Sequence, residues 1–502
     1  MSRSISLSPA ETTFCGLLDD FARKQVPPVE CRIAGGWVRD KLLSLPSADL
    51  DIALSISSGH TFAVDFVDYL KQLSPTITVG SVGKVAANPD QSKHLETGTT
   101  RIMGLECDFV GLRSETYADS RIPDQVQLGT PLEDASRRDL TINSLFYNVH
   151  TREVEDFTEK GLIDLDHKVA RTPLPPRQTF HDDPLRILRC VRFSARFGLD
   201  IAQEVQDAIM QDDVKEALKD KVSKERIGIE ITKSMKHDPF KAISLIHNLN
   251  LHSSIFTCPP TTTPIYPTDD TIKTAEILRA VLQRLCEEGN EFLWLACAMA
   301  PFRDAVVVGR NKKELPAVSV VLAEGMKLST EYKNTVTNLF AASRLLDPKL
   351  EGRSTIGLVL QNAAVKPWEQ SVIWSIVMAI LPGWKGEWDA QSEASLVDYK
   401  AFIQNIHDYG LPLSISQPPL IDGTGVQSIL SIPPSRLVQV ILQAVNVWHL
   451  DNPGKTREEG ENWLKETWNG EGRAEWERQL PVEAPKAKKA KVEKAKADER
   501  KR

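Results

Sequence analysis

Over the first 170 positions apolar residues come in short runs. Positions 31–34 form one such run, closed by Gly35-Gly36, and 50–54 and 105–112 form others. Runs of this length predict strands, whereas 37–45 carries helical spacing. Positions 142–149, with β-branched and aromatic residues, fit strand or helix on pattern alone. The mixture predicts an α+β head, a mixed sheet with flanking helices. Between 82 and 100 the chain is polar and carries Asn88-Pro89-Asp90, which reads as an extended loop.

From Asp183 onward the period becomes helical. Asp183-Pro184 supplies a side-chain acceptor at a cap and a proline for the first turn, and Gly198 supplies a stop. Further helices are expected over 223–235, 239–249 and 435–450. A proline- and threonine-rich break at 258–271 reads as a domain boundary. The expected order is a head (1–170), a helical neck (171–257), a helical body (258–430), a helical tail (431–480) and a basic disordered end (481–502). Everything after the head is expected to be all-α.

Composition narrows the class. The chain has 502 residues, 41% of them hydrophobic, enough for several sizeable cores. No uncharged apolar run reaches the roughly 18 residues of a membrane span. The N-terminus lacks a secretory pattern, and Asp19 and Asp20 speak against an amphipathic transit peptide. Seven cysteines, none at C-x-x-C spacing, read as reduced intracellular thiols, not a disulfide frame or zinc site. Net charge is −7, so any RNA surface must be a local basic patch. P-loop, G-x-G-x-x-G and H-E-x-x-H motifs are absent.

The sharpest chemistry lies in Asp49-Leu50-Asp51-Ile52. Strand alternation puts both carboxylates on one face and sends Leu50 and Ile52 into the core. Two such acids repel each other, and Mg²⁺ relieves that repulsion while also binding phosphate oxygens. Two ions about 3.5–4 Å apart can activate a hydroxyl and neutralise a leaving oxygen. Upstream, Gly35-Gly36 lets the backbone approach a triphosphate, the following helix start offers N–H groups, and Arg39 offers a bidentate fork. Alone, a D-x-D is usually a solvated strand edge; in this order the two signals reinforce each other.

Two further segments fit a nucleotide. In Arg137-Arg138-Asp139-Leu140-Thr141-Ile142-Asn143, Arg138 can neutralise phosphate, and Asp139 and Asn143 can bind a ribose hydroxyl. An ion-paired turn fits those residues equally well. Asp183 and Arg186, three apart at a helix start, can face one ligand. Cytosine and adenine both present an amino donor beside a ring-nitrogen acceptor, whereas uracil and guanine present the reverse. One aspartate–arginine pair could thus admit C and A and reject U and G. Arg189 and Arg192 follow at helical spacing as candidate phosphate contacts; an N-cap, a salt bridge and a basic solvated face are the plain alternative.

These motifs carry a resemblance. GGWVRDKLLSLPSADLDIAL resembles the first motif of class II CCA-adding enzymes, tRNA nucleotidyltransferases of the polymerase-β superfamily, with Ser44 where the family usually has glycine. The Arg137–Asn143 stretch is similar to their RRD-x-T-x-N motif. Asp182-Asp183-Pro184-Leu185-Arg186 is similar to their E/D-D-x-x-R motif, with Asp182 where Glu is commoner. Asp156, Gly161 and Asp164-Leu165 resemble a motif coupling head to neck. Arg226 and Glu230 resemble a last motif, read here as a structural brace.

The resemblance implies Asp49 and Asp51 as catalytic ligands of two Mg²⁺ ions, with Asp108 as a candidate third carboxylate from a neighbouring strand. It implies Gly36 and Arg39 as triphosphate contacts, CTP and ATP as substrates, and tRNA lacking all or part of its 3′ CCA as partner. No obligatory protein partner and no membrane are implied. The loop at 84–100 would help switch between nucleotides, and 431–480 would bind tRNA. Strong motifs cover about 32–235. Beyond them the match is thinner, resting on Asp422-Gly423, Asp451-Asn452-Pro453 and Thr456-Arg457-Glu458. Poly(A) synthesis, or addition of only CC or only A, is the alternative within the superfamily; a non-catalytic tRNA binder is the alternative of another class. Cytoplasm or nucleus is expected, with the mitochondrion as a further compartment. The lysine-rich end reads as a solvated tail, with a nuclear-import signal or RNA tether as the sharper alternative.

Overall fold

The structure is a computed structural model that describes residues 4–47, 49–85, 96–116, 125–309 and 311–480. Most of the polar loop and all of the basic end lie outside the described residues. The chain forms two compact units, Met1–Thr337 with Trp384–Gly386, and Asn338–Gly383 with Glu387–Arg502.

In the first unit the strands are β1 (Cys31–Ala34), β2 (Asp49–Leu54), β3 (Gly83–Val85), β4 (Thr97–Ile102), β5 (Leu105–Gly111), β6 (Arg113–Thr116), β7 (Gln125–Leu128), β8 (Phe146–Asn148) and β9 (Val154–Glu155). Seven of them make one sheet in the order β3-β4-β5-β2-β1-β8-β9, while β6 and β7 pair separately. The pair β2–β5 is parallel and β1–β2 antiparallel, so the sheet is mixed as expected. Positions 142–149, ambiguous on pattern, resolve into a short 3₁₀ turn at Thr141–Asn143 followed by β8.

Helices α1 (Pro9–Arg23), α2 (Gly36–Leu42), α3 (Gly59–Leu73) and α4 (Pro131–Ser136) belong to the head. Ser8 and Glu11 close a capping box on α1, and Thr130 and Glu133 close another on α4. The head core packs Phe14 and Phe21 of α1, Phe62 and Phe66 of α3 and Phe109 of β5, with ring centroids 5.2–6.4 Å apart. Helix α2 ends at Leu42, and Ser44, where the resemblance places glycine, adopts φ 57°.

Next come α5 (Gly161–Asp166), α6 (Pro176–Asp182), α7 (Leu185–Phe197), α8 (Gln203–Ile209), α9 (Asp212–Lys221), α10 (Lys224–Ser234) and α11 (Pro239–Asn248). Asp183 stands extended between α6 and α7, and its Oδ1 accepts from Leu185 N at 3.2 Å. Gly198 ends α7 in the left-handed region at φ 67°. Strands β10 (Val169–Ala170) and β11 (Asp200–Ile201) pair in parallel and tie the exit of α7 to the end of the head.

The region after the head is mainly helical, with corrections to the all-α expectation. Besides the β10–β11 pair, strands β12 (Val306–Val308) and β13 (Glu314–Pro316) form an antiparallel hairpin. Each is three residues long, too short for a periodic signal. The segment 258–271 runs against this region: Thr262 N donates to Val306 O at 2.8 Å and Tyr266 N to Pro301 O at 2.9 Å. The two compact units part near 337.

The second unit includes the helices Arg353–Gln361, Trp368–Ile380, Ala390–Asp408, Arg436–Asp451 and Arg457–Asn469. One of its cores gathers Ile421, Val426, Val438, Ile441, Val445, Leu464 and Trp476. Among the described residues no helix is long and apolar enough to cross a membrane.

Candidate active site

The site starts where β1 turns into α2. Gly35 makes the turn at φ 69°, and its N–H donates to Leu145 O at 2.8 Å. A Cβ there would lie 2.6 Å from Arg138 Nη1, so the turn demands glycine on both conformation and space. Strand β2 then presents Asp49 and Asp51 on its open face, while Leu50 and Ile52 are buried, as alternation requires. The parallel register sets Asp108 of β5 directly opposite Asp51.

These acids crowd one another. Although their face is open, dense surroundings desolvate Asp51 and lift its carboxyl above the usual range; Arg138 pulls the other way and Asp49 adds to the lift. Asp108 is raised too, by burial first and then by Asp51 and Asp49. Among the described residues no three His, Cys, Asp or Glu side chains form a ready metal cage.

A cleft of about 530 Å³ opens beside the pair, lined by eight arginines and five aspartates. Of the residues singled out in the sequence, Gly36, Arg39, Asp49, Asp51, Arg138, Asp139, Asn143, Asp183, Arg186, Arg189 and Arg192 line it. Gly35 and Asp108 are not among the residues that line it.

Many of the arginines are already committed. Arg39 is buried; its Nε and Nη2 donate to Asp40 Oδ1 at 2.8 and 2.6 Å, and its Nη1 donates to Asn143 Oδ1. It also stacks over Phe197 at 4.4 Å and Phe193 at 5.1 Å. Sequence offers this fork for phosphate; in the structure Arg39 lines the cleft while its fork ties α2 to the Asn143 turn. Asn143 Nδ2 donates to Asp139 Oδ1 at 3.0 Å, and Arg189 Nε donates to Asp139 Oδ2 at 2.7 Å. Burial alone would raise the Asp139 carboxyl, but Arg189 and the hydrogen bonds hold it at about 2. Asp139 and Asn143, suggested as ribose ligands, are thus bonded to each other in a preformed network.

Asp134 was missed. It is buried, and Arg137 and Arg138 each place Nε and Nη2 on one of its oxygens, at 2.7–3.1 Å. Against its burial, the two arginines hold its carboxyl well below the usual range. Its spacing three and four residues before those arginines on a helix was a readable signal.

Asp183 and Arg186 reach the cleft from the start of α7. Arg186 Nη2 donates to Arg137 O at 2.5 Å, and Asp183 Oδ2 accepts from Arg226 Nη2 at 2.9 Å. Arg192 Nε donates to Glu230 Oε2 at 2.6 Å and stacks over Phe193 at 4.1 Å. Arg226, read from sequence as a brace, therefore also lines the cleft, as do Asp40, Phe193 and Arg196, which sequence did not single out.

A mixed sheet that sets two strand-borne acids beside an arginine-lined cleft defines a nucleotidyltransferase, and residues 31–171 match the poly A polymerase head domain family. The tRNA nucleotidyltransferase cca1 of Schizosaccharomyces pombe is 34% identical over 451 residues, 86% of this chain and 90% of that protein. The mitochondrial CCA tRNA nucleotidyltransferase of Saccharomyces cerevisiae is 35% identical over 508 residues, 91% of this chain and 92% of that protein. The chain belongs to the CCA tRNA nucleotidyltransferase family. It shares its fold with the CCA-adding enzyme of Bacillus stearothermophilus, solved in complex with CTP, at a TM-score of 0.62 and 16% identity, over 93% of this chain and 100% of that one.

Proposed function

We propose that this chain rebuilds the 3′ end of tRNA, adding C, C and A from CTP and ATP without a nucleic-acid template. The terminal 3′ oxygen of the tRNA attacks the α-phosphate, the bond to the β-phosphate's bridging oxygen breaks, and pyrophosphate leaves. One observation carries the reading. A single cleft joins the Asp49/Asp51 pair to the Asp183/Arg186 pair, so reacting phosphate and selected base fit one bound nucleotide. The names of the relatives support tRNA and its CCA end as the substrate.

Asp49 and Asp51, with Asp108 beside them, are the residues that would hold two magnesium ions. The raised carboxyls of Asp51 and Asp108 support the fit, because crowded acids are what a divalent cation relieves. Bound there, the ions would supply charge neutralisation at the attacking and leaving oxygens. Arg138, Arg189 and Arg192 offset triphosphate charge. Arg39, Asn143 and Asp139 hold the cleft wall rigid, so little reorganisation accompanies the reaction. Asp183 accepts from the exocyclic amine of C or A, and Arg186 donates to the ring nitrogen. The neck, 171–257, carries nucleotide selection, and 431–480 carries tRNA contact. The S. cerevisiae relative supports the mitochondrion as one site of action, beside cytoplasm or nucleus.

The test is incubation of tRNA lacking its 3′ end with Mg²⁺ and single or paired nucleotides. The expected product gains C, C and A and then stops. Long A tracts from ATP alone, or no incorporation, would contradict the proposal.

A further inference from the structure

We propose that Arg226 is a positioning residue for nucleotide choice, acting through Asp183; this rests on the base-reading role given to Asp183 above. Helix α10 sends two side chains, one turn apart, to the neighbourhood of α7, and the two ion pairs they make differ. Glu230 with Arg192 is the less exposed pair, at 6% and 10% of the side chains, and only its arginine lines the cleft. Arg226 with Asp183 is more open, at 32% and 20%, and both residues line the nucleotide cleft.

The bonds on Asp183 show what the pair does. Its Oδ1 takes Leu185 N at 3.2 Å, and its Oδ2 takes Arg226 Nη2 at 2.9 Å. A carboxylate's terminal torsion is broad when unrestrained. Two donors on opposite oxygens fix its plane, and each oxygen keeps a lone pair for a ligand. Remove Arg226 and one oxygen is released, so the acceptor direction that meets an amino group is no longer set.

The experiment compares kcat/KM for CTP and for UTP on tRNA lacking its 3′ end, in the wild type and in Arg226→Gln, Arg226→Lys and Asp183→Asn. A ratio measured within one preparation is insensitive to the fraction folded, so a merely structural loss leaves it unchanged. The CTP-over-UTP ratio should fall about tenfold or more in Arg226→Gln, because a misaligned acceptor forfeits hydrogen-bond discrimination. Arg226→Lys, which keeps a donor for Asp183, should recover most of it. If Arg226→Gln keeps the wild-type ratio while Asp183→Asn loses it, positioning by Arg226 is overturned and base reading stands. If neither variant changes the ratio, both ideas fall.

Discussion

Asp49 and Asp51 illustrate how one strand separates chemistry from folding. Their carboxylates face the cleft, while Leu50 and Ile52 between and after them fill the core. Replacing either acid with alanine should therefore cost several orders of magnitude in nucleotide incorporation yet leave the melting temperature nearly unchanged. Near-normal rates in either variant would remove the metal assignment. His252 works in the opposite way, for the fold alone. It stacks on Phe302 and packs at a tilt against Phe256, its Nε2 lies 2.9 Å from Ala298 O, and burial drives its pKa from 6.5 down to about 4. The unfolded chain takes up the proton that the fold refuses. Its contribution is thus intact above 6.5 and drains away as pH falls toward 4, amounting to roughly 3 kcal/mol at the acid end. Thermal melts between pH 7 and pH 4 should show that loss, and His252→Phe should flatten it; an equal slope in the variant would contradict the assignment.

At the scale of elements, the site is made by two junctions, β1 into α2 and α6 into α7. Both were legible: the glycine pair announced the first, and Asp183-Pro184 with Gly198 framed the second helix. What those junctions do to Arg39 was not legible. Besides the neighbouring Asp40, its partners Asn143, Phe193 and Phe197 lie a hundred or more residues away, so only the fold shows those contacts. Ser44 is a local weakness that sequence flagged and the structure explains. A non-glycine residue at φ 57° just past a helix is strained. Ser44→Gly should raise stability by about 0.5–1 kcal/mol, measured by denaturant unfolding. A loss of stability would show that the serine side chain contributes more than its backbone costs.

For the whole molecule, net charge pointed away from nucleic acid, yet the cleft is ringed by arginines. The sum misled because it averages over the chain: four of the cleft arginines lie on α7, Arg137 and Arg138 follow α4, and Arg39 and Arg226 come from α2 and α10. The boundary between units was hidden for another reason. The chain passes from one to the other within the helix Thr330–Ala342, where no proline or glycine interrupts the pattern. The proline-rich segment at 258–271 instead serves as an ordered strap along a short hairpin, fixed by backbone hydrogen bonds that composition does not reveal.

The central claim is that one nucleotide spans the cleft, its phosphates over the acids of β2 and its base against the start of α7. A crystal structure of the protein with CTP and Mg²⁺ tests it most directly. The account predicts electron density for metal between the triphosphate and Asp49 and Asp51, with the cytosine amine on Asp183 and its ring nitrogen on Arg186. CTP bound elsewhere, or bound there with its base turned away from α7, would contradict it.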